Sequence, residues 1–256
     1  MLATIAYASQ FAQDAFLDRV VFRGLRGGFF VDVGAHDGEA FSNTVAFERL
    51  RDWRGLCIEP NPPVFEKLRR ARRAECLQCC IALTEGETAF LQIEGRSEML
   101  SGIVDAYSAE HRERMAREAR IDGSTGKIIK VPTLPLRSIL AERAIDEVHL
   151  LSVDTEGSEI EVLRSLDWDR VLVHAVTIED NYGDARIAEL LGDRGFVPIM
   201  RLAVDAIFVN RCSRFFSRLL LVRCLGLRAL ARVERKLRKF RLLPPGAAKF
   251  PYKRPR

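Results

Sequence analysis

The sequence predicts an α/β fold: a Rossmann-like, seven-stranded sheet, mostly parallel, with a C-terminal antiparallel hairpin and a basic helical tail. Three observations carry this. Short apolar runs alternate with segments of helical spacing, the first run ends in a glycine turn, and the last two runs follow each other with no helix between them.

Residues 29 to 33 (FFVDV) read as the first strand, ending at Gly34, and Phe41, Val45, Phe47 and Leu50 give residues 40 to 51 helical spacing. Gly55 to Glu59 repeat the strand, Pro62 opens a helix at its tolerated first turn, and the basic run Lys67 to Arg73 precedes a strand over Cys76 to Leu83. Two βαβ units in succession require parallel strands with right-handed crossovers, so helices cover both faces of the sheet. Residues 87 to 94 alternate as an extra strand, and 95 to 126 read as an inserted polar loop with a helix near Ala109 to Arg120. The pattern resumes with a helix over Arg137 to Arg143, a strand over His149 to Val153 and a helix from Ser158. A strand over Val171 to Ile178, a helix over Ala185 to Leu191 and an antiparallel pair, Phe196 to Met200 with Val204 to Val209, complete it. A parallel sheet closed by a hairpin is the architecture of class I methyltransferases, whereas a dinucleotide dehydrogenase continues with a parallel sixth strand.

No Gly/Ser/Pro-rich linker divides the 256 residues before 210, so 1 to 210 read as one domain and 211 to 256 as a basic amphipathic tail. Hydrophobic residues at 48% and charged residues at 29% suit a globular core. The net charge of +5 hides an asymmetry: 211 to 256 hold 15 Lys/Arg and one acid, leaving the body at −9. The basic balance therefore speaks for the tail, not for nucleic acid at the body. Six cysteines without a signal peptide, and no apolar run near the ~20 residues of a membrane span, indicate a reducing cytoplasm and buried strand thiols.

The turn Asp32-Val33-Gly34-Ala35-His36-Asp37-Gly38 has glycines at i and i+4, which allow a tight turn and close approach of a ligand ahead of a helix N-terminus. His36 stands where a pyrophosphate-binding turn needs its second glycine, which favours S-adenosylmethionine (SAM) over a dinucleotide. Glu59, 21 residues after Gly38, is placed to accept both ribose hydroxyls. The expected cofactor contacts are Asp32, Gly34, Ala35, His36, Gly38, Glu59, Pro60, Ala82 and Asp154. Asn61-Pro62-Pro63 resembles the tripeptide that grips amines in nucleic-acid amino-methyltransferases, but it follows the second strand rather than the fourth, where Pro62 starts a helix.

Ser9 to Asp14, GGFFVDVGAHDGEAFSNT (27 to 44), WRGLCIEPNP (53 to 62) and HLLSVDTEGSEIEVLRSLDW (149 to 168) together resemble the FkbM family of SAM-dependent methyltransferases, over roughly residues 7 to 210. The resemblance implies O-methylation of hydroxyl groups, often on sugars of surface polysaccharides or on natural products. Arg137 departs from it, standing in a segment that usually carries Asp.

Asp154, Glu156 and Glu159 lie where a strand gives way to a helix, and Glu179 and Asp180 end the next strand, so adjacent strands bring acids to one rim. Asp154, Glu179 and Asp180 form an oxygen-only donor set suited to Mg²⁺. The arrangement is similar to that of metal-dependent sugar O-methyltransferases, which makes Glu156, beside Asp154, the expected base; His36, with an intrinsic pKa near working pH, competes for that role. Acids in a first helical turn are also favoured by the helix dipole alone. Gln10, Gln13 and Asp14 share one face of an expected helix, a face that either caps the cofactor pocket or is simply solvated. The expected partners are a sugar or glycan acceptor and, through an amphipathic helix over 213 to 243, either an anionic surface at the inner membrane face or a helix that packs or pairs as a coiled coil behind a solvated basic face. A catalytically inert scaffold in glycan assembly and an RNA methyltransferase are the alternatives.

Overall fold

The computed structural model describes residues 7 to 239 other than 96, 108, 109, 111, 114, 116, 118 to 120, 122, 123 and 182, and for 230 to 239 the backbone alone. The strands are β1 (Phe29–Val33), β2 (Arg54–Ile58), β3 (Glu75–Leu77), β4 (Cys80–Ile81), β5 (Gly86–Glu94), β6 (Gly102–Ile103), β7 (Thr125–Leu134), β8 (Glu147–Val153), β9 (Leu172–Glu179), β10 (Phe196–Leu202) and β11 (Asp205–Asn210). The helices are α1 (Gln13–Phe16), continued by a π-helical turn over Leu17–Val21, α2 (Val45–Arg51), α3 (Pro62–Ala71), α4 (Leu136–Glu142), α5 (Glu159–Arg164), α6 (Ala185–Asp193) and α7 (Arg218–Lys239).

Seven strands form the main sheet in the order β10-β11-β9-β8-β1-β2-β3. The five from β9 to β3 are parallel, and β11 and β10 close the edge antiparallel, as the element order predicts. Strand order reverses between β1 and β8, the switch point where such sheets bind ligands beyond their carboxyl ends. Alternation along each strand feeds two cores. Val31, Val33, Leu151 and Val153 pack with Leu136, Val162 and Leu191 from α4, α5 and α6 on one face. Phe30, Leu150 and Ala175 pack with Phe16, Phe47, Leu68 and Leu220 on the other. The result is a three-layer αβα sandwich, and it explains why the central strands read as unbroken apolar runs.

Several local expectations change. The expected strand over Cys76 to Leu83 divides: the chain leaves the main sheet after Leu77 and joins a second sheet at Cys80. That sheet has the order β4-β7-β5-β6 and takes the expected strand over 87 to 94 as β5, while residues 95 to 126 add to it only β6 and the first two residues of β7. Its longest strand, β7, escapes the periodicity reading because its outer face is open to water, with Ile128 exposed, while Val131 and Thr133 are buried. The helix expected over Ala109 to Arg120 lies largely outside the described residues.

The helix expected from residue 40 starts at Val45 instead, because Ser42 Oγ accepts the N–H groups of Thr44 at 3.2 Å and Val45 at 3.1 Å and ends the preceding turn. Those amides are consequently not offered to a ligand. At the amino terminus, Ala12 adopts the left-handed conformation (φ 67°) and separates Gln10 from α1. Gln13 and Asp14 are buried structural groups: Gln13 bonds Asp205, and Asp14 accepts from the backbone N–H of Ala8 and Ser9. The tail helix begins at Arg218, five residues later than expected, after a turn in which Ser213 is buried.

Candidate active site

A cavity opens at the carboxyl ends of β1, β2, β8 and β9, lined by Gly34, Glu59, Asp154 and Glu179 from those ends and by His36, Phe41, Pro60 and Glu156 from the loops after them. The second sheet supplies the opposite wall, with Cys80, Phe90, Ser101, Gly102 and Ile103. Glu98 and Met99, just before β6, complete that wall, and Gln10 reaches the cavity from the amino-terminal turn.

Gly34 is demanded by the chain itself as much as by a ligand. It adopts φ 81°, and a Cβ there would lie 1.7 Å from the carbonyl oxygen of Asp154. The two carboxyl ends at the switch point therefore approach as closely as backbone allows, and Asp154 N–H donates to Val33 O at 2.9 Å across the gap. Gly38 (φ 82°) faces away from the cavity, against Leu68 and Arg72. Asp32 is buried below the turn, accepting from Thr44 Oγ at 2.5 Å and lying 3.9 Å from the buried Arg72 guanidinium. Burial raises its pKa, and Arg72 opposes that rise. Arg72 also donates to Gly38 O and Thr44 Oγ1, so Asp32 and Gly38 brace the turn from behind. Ala35 is buried in the second core, and Ala82 donates its N–H to Leu134 O; neither lines the cavity. Cys80 and Ile81 stand at the place expected for Ala82.

Glu59 is buried, and its two oxygens accept from His36 N–H at 3.0 Å and Asn61 N–H at 2.8 Å. Desolvation pushes its pKa up to about 7 against those two backbone bonds. Asn61 precedes α3 as the N-P-P reading predicts, but it is also a site residue that the sequence did not mark. Its Nδ2 donates to Ser101 Oγ at 3.3 Å, and its buried Oδ1 has no hydrogen-bond partner among the described residues. A fixed carboxylate, an open amide acceptor and a glycine cradle fit a ribonucleoside with hydroxyl and amino donors.

On the other side of Gly34, one oxygen each of Asp154, Glu156 and Glu179 lie within 4.8 Å of one another. Asp154 is partly buried, and desolvation first, then Glu179 and Glu156, raise its pKa well above the usual carboxylate value. Such a cluster favours a proton or a cation in its midst. Asp180 does not join it: its carboxylate pairs with Arg201 at 2.7 Å and accepts the N–H of Asp184. Glu156 takes the third place that spacing suggested for Asp180. Asp205, paired in register with Glu179 across β11 and β9, adds a buried acid that no motif announced, its pKa pushed up to about 7 by burial and then by Glu179.

Glu159 turns back on its own loop, accepting from Thr155 N–H and Gly157 N–H, which is the helix-start role. The two candidate bases are both held in left-handed backbone, His36 at φ 49° and Glu156 at φ 55°. Strain of this kind persists where surrounding structure over-determines it and clusters at functional loops. His36 lies between two carboxylates, 3.6 Å from Asp37 and 3.5 Å from Glu98. Arg137 is remote from all of this, on α4, donating to Leu83 O at 2.6 Å.

Residues 32 to 198 match the Methyltransferase FkbM domain. The chain is 27% identical over 191 residues to methyltransferase sdnD of Sordaria araneosa, covering 66% of this chain and 73% of that protein. A solved methyltransferase FkbM from Methylobacillus flagellatus aligns with TM-score 0.43 at 13% identity, over 79% of this chain and about half (48%) of that one. A precorrin-6y C5,15-methyltransferase from Geobacter metallireducens aligns with TM-score 0.39 at 13% identity, over 82% and 91% of the two chains. With the domain matched over well over half its length, and with the sheet order and glycine turn described above, this chain belongs to the FkbM methyltransferase family.

Proposed function

We propose that the protein methylates a hydroxyl of a sugar or glycan, with SAM, the donor its family membership implies, bound between Gly34 and Glu59. The observation that carries this reading is the meeting of Asp154, Glu156 and Glu179 in the cavity that Glu59 also lines. When bound, SAM supplies a methyl group activated by its sulfonium. The chain's own work is to bind, orient and deprotonate. Glu59 accepts the ribose hydroxyls, and Asn61 Oδ1 accepts a donor from the same ligand. Glu156 would take the proton of the acceptor hydroxyl as the hydroxyl oxygen bonds to the methyl carbon and the sulfonium C–S bond breaks to leave a neutral thioether; a base is required because a sugar hydroxyl is a poor nucleophile near neutral pH. The three clustered carboxylates fit a hard divalent cation, which would hold the acceptor oxygen and ease its ionisation.

A groove bordered by Asp105, Glu161, Asp180 and Asp184 shares Glu156 and Glu179 with the cavity. Acids at the acceptor side suit a polyhydroxylated neutral molecule and repel a polyanion, which weighs against RNA.

The experiment is methyl transfer from labelled SAM to a panel of neutral glycans and RNA, with Glu156→Gln and with EDTA. The variant should bind SAM as the parent does while kcat falls roughly 10²–10⁴-fold. Full turnover by the variant removes Glu156 as base, turnover unchanged by EDTA removes the cation, and label entering RNA alone removes the sugar acceptor.

A further inference from the structure

Helix α7, 22 residues and so about 33 Å long, presents two apolar faces. One is used inside the protein, where Leu220 and Cys224 are buried with Met200 and Val209. The root of the helix is tied down too: Ser213 Oγ lies 2.9 Å from His174 Nδ1, Arg214 lies 3.4 Å from the Glu147 carboxylate, and the Phe215 ring meets Phe22 edge-on at 5.2 Å.

The second face points away from the body. Leu219, Val222 and Leu225 are 62%, 63% and 61% exposed, and their spacing of three puts them on one side of the helix. Gly226 continues that side, with open space where a Cβ would stand. In the sequence, Ala229, Val233 and Leu237 follow at spacings of three and four. Exposed Arg218 and Arg223 border the stripe, within a segment of 15 Lys/Arg and one acid. A stripe of large apolar side chains open to water marks an interaction surface. Its cationic border repels a second copy of the same helix. The complementary partner is apolar within and anionic at its surface.

We propose that this outward face of α7 docks on an anionic phospholipid bilayer, with Leu219, Val222 and Leu225 entering the interface and the flanking arginines meeting the headgroups. The contact is peripheral, since no helix among the described residues is long and apolar enough to cross a membrane. Arg228, further along α7, shares a hollow with Asp180 and Asp184 beside the cavity rim, so docking holds that rim near the lipid surface. The proposal stands independently of which hydroxyl is methylated.

The test is co-sedimentation of the full-length protein with phosphatidylcholine vesicles and with vesicles in which about a third of the lipid is phosphatidylglycerol, at ionic strengths of about 0.1 M and about 0.5 M. Partition should be at least about tenfold greater onto the anionic vesicles, weaken with salt, and fall about tenfold in a Leu219→Ser, Val222→Ser, Leu225→Ser triple variant. These positions are exposed, so the variant should keep the parent's Tm and SAM affinity. Equal partition onto both vesicle types, failure of the parent to bind either, or undiminished binding by the triple variant overturns the proposal. So does a lipid-free dimer that the triple variant dissolves, because a second copy would then cover the stripe.

Discussion

At the scale of single residues, two buried acids bear opposite burdens. Glu59 is fixed by two backbone N–H groups and kept near a pKa of about 7 by burial, which leaves it ready to gain hydroxyl donors from a ligand. Glu59→Ala should weaken SAM binding by about 1.5–3 kcal/mol, the range for a hydrogen bond to a charged group, as calorimetry would read. An unchanged affinity removes the ribose assignment. Asp205 gains no such ligand. Its folded pKa, raised to about 7 from an ordinary 3.8, means that its ionisation opposes folding as pH climbs between those values. Asp205→Asn keeps an acceptor for Gln13 and removes a negative charge beside Glu179. The variant should be more stable than the parent by on the order of 1–3 kcal/mol at pH 8, with the gain shrinking towards pH 4. Thermal melts showing a gain independent of pH would sink this account.

At the scale of elements, the second sheet matters most because it forms the cavity wall opposite the main sheet. Val131 of β7 is buried with Cys80 and Phe90, and the latter two line the cavity. Val131→Asp buries an unpaired carboxylate between them, at a cost of several kcal/mol that the small cluster cannot absorb. Loosening should be confined to residues 86 to 134, since the main sheet keeps its own two cores. Limited proteolysis should cut within that segment and SAM affinity should drop more than about tenfold, while far-UV dichroism changes little. Parental affinity in a protein nicked there would show that the wall takes no part in binding.

At the scale of the whole molecule, the tail helix is part of the core at one end and open to water along its other face. A chain ending at residue 210 loses Leu220 and Cys224 and uncovers Ile199, Met200, Ile207 and Val209. Losing one buried leucine side chain costs about 2–5 kcal/mol, so the truncation should lower Tm by roughly 5–20 °C. A chain ending at 229 should melt close to the full length. Equal Tm values for the 210 and 256 end points would show that the root of α7 contributes nothing to the fold.

What the sequence determined by itself is whatever rests on local pattern. The βαβ repeats set the order and direction of the main strands, the closing runs announced the hairpin, and the turn at Gly34 with Glu59 located one end of the cavity. These signals survive because apolar runs, glycine turns and strand-end acids act within a few residues of themselves. Tertiary structure alone decided the rest. Strand β7 is half solvated and carries little periodicity, so its pairing with β5 follows from the partner strand. Asp180 and Glu156 both stand near strand ends, but Arg201 draws off the first and leaves the second to complete the acid cluster. Asn61 and Asp205 enter the picture only because chains remote in sequence, at Ser101 and Gln13, come to meet them. A side chain's role depends on which distant groups desolvate or pair with it, and that is a property of the packed molecule rather than of any window of sequence.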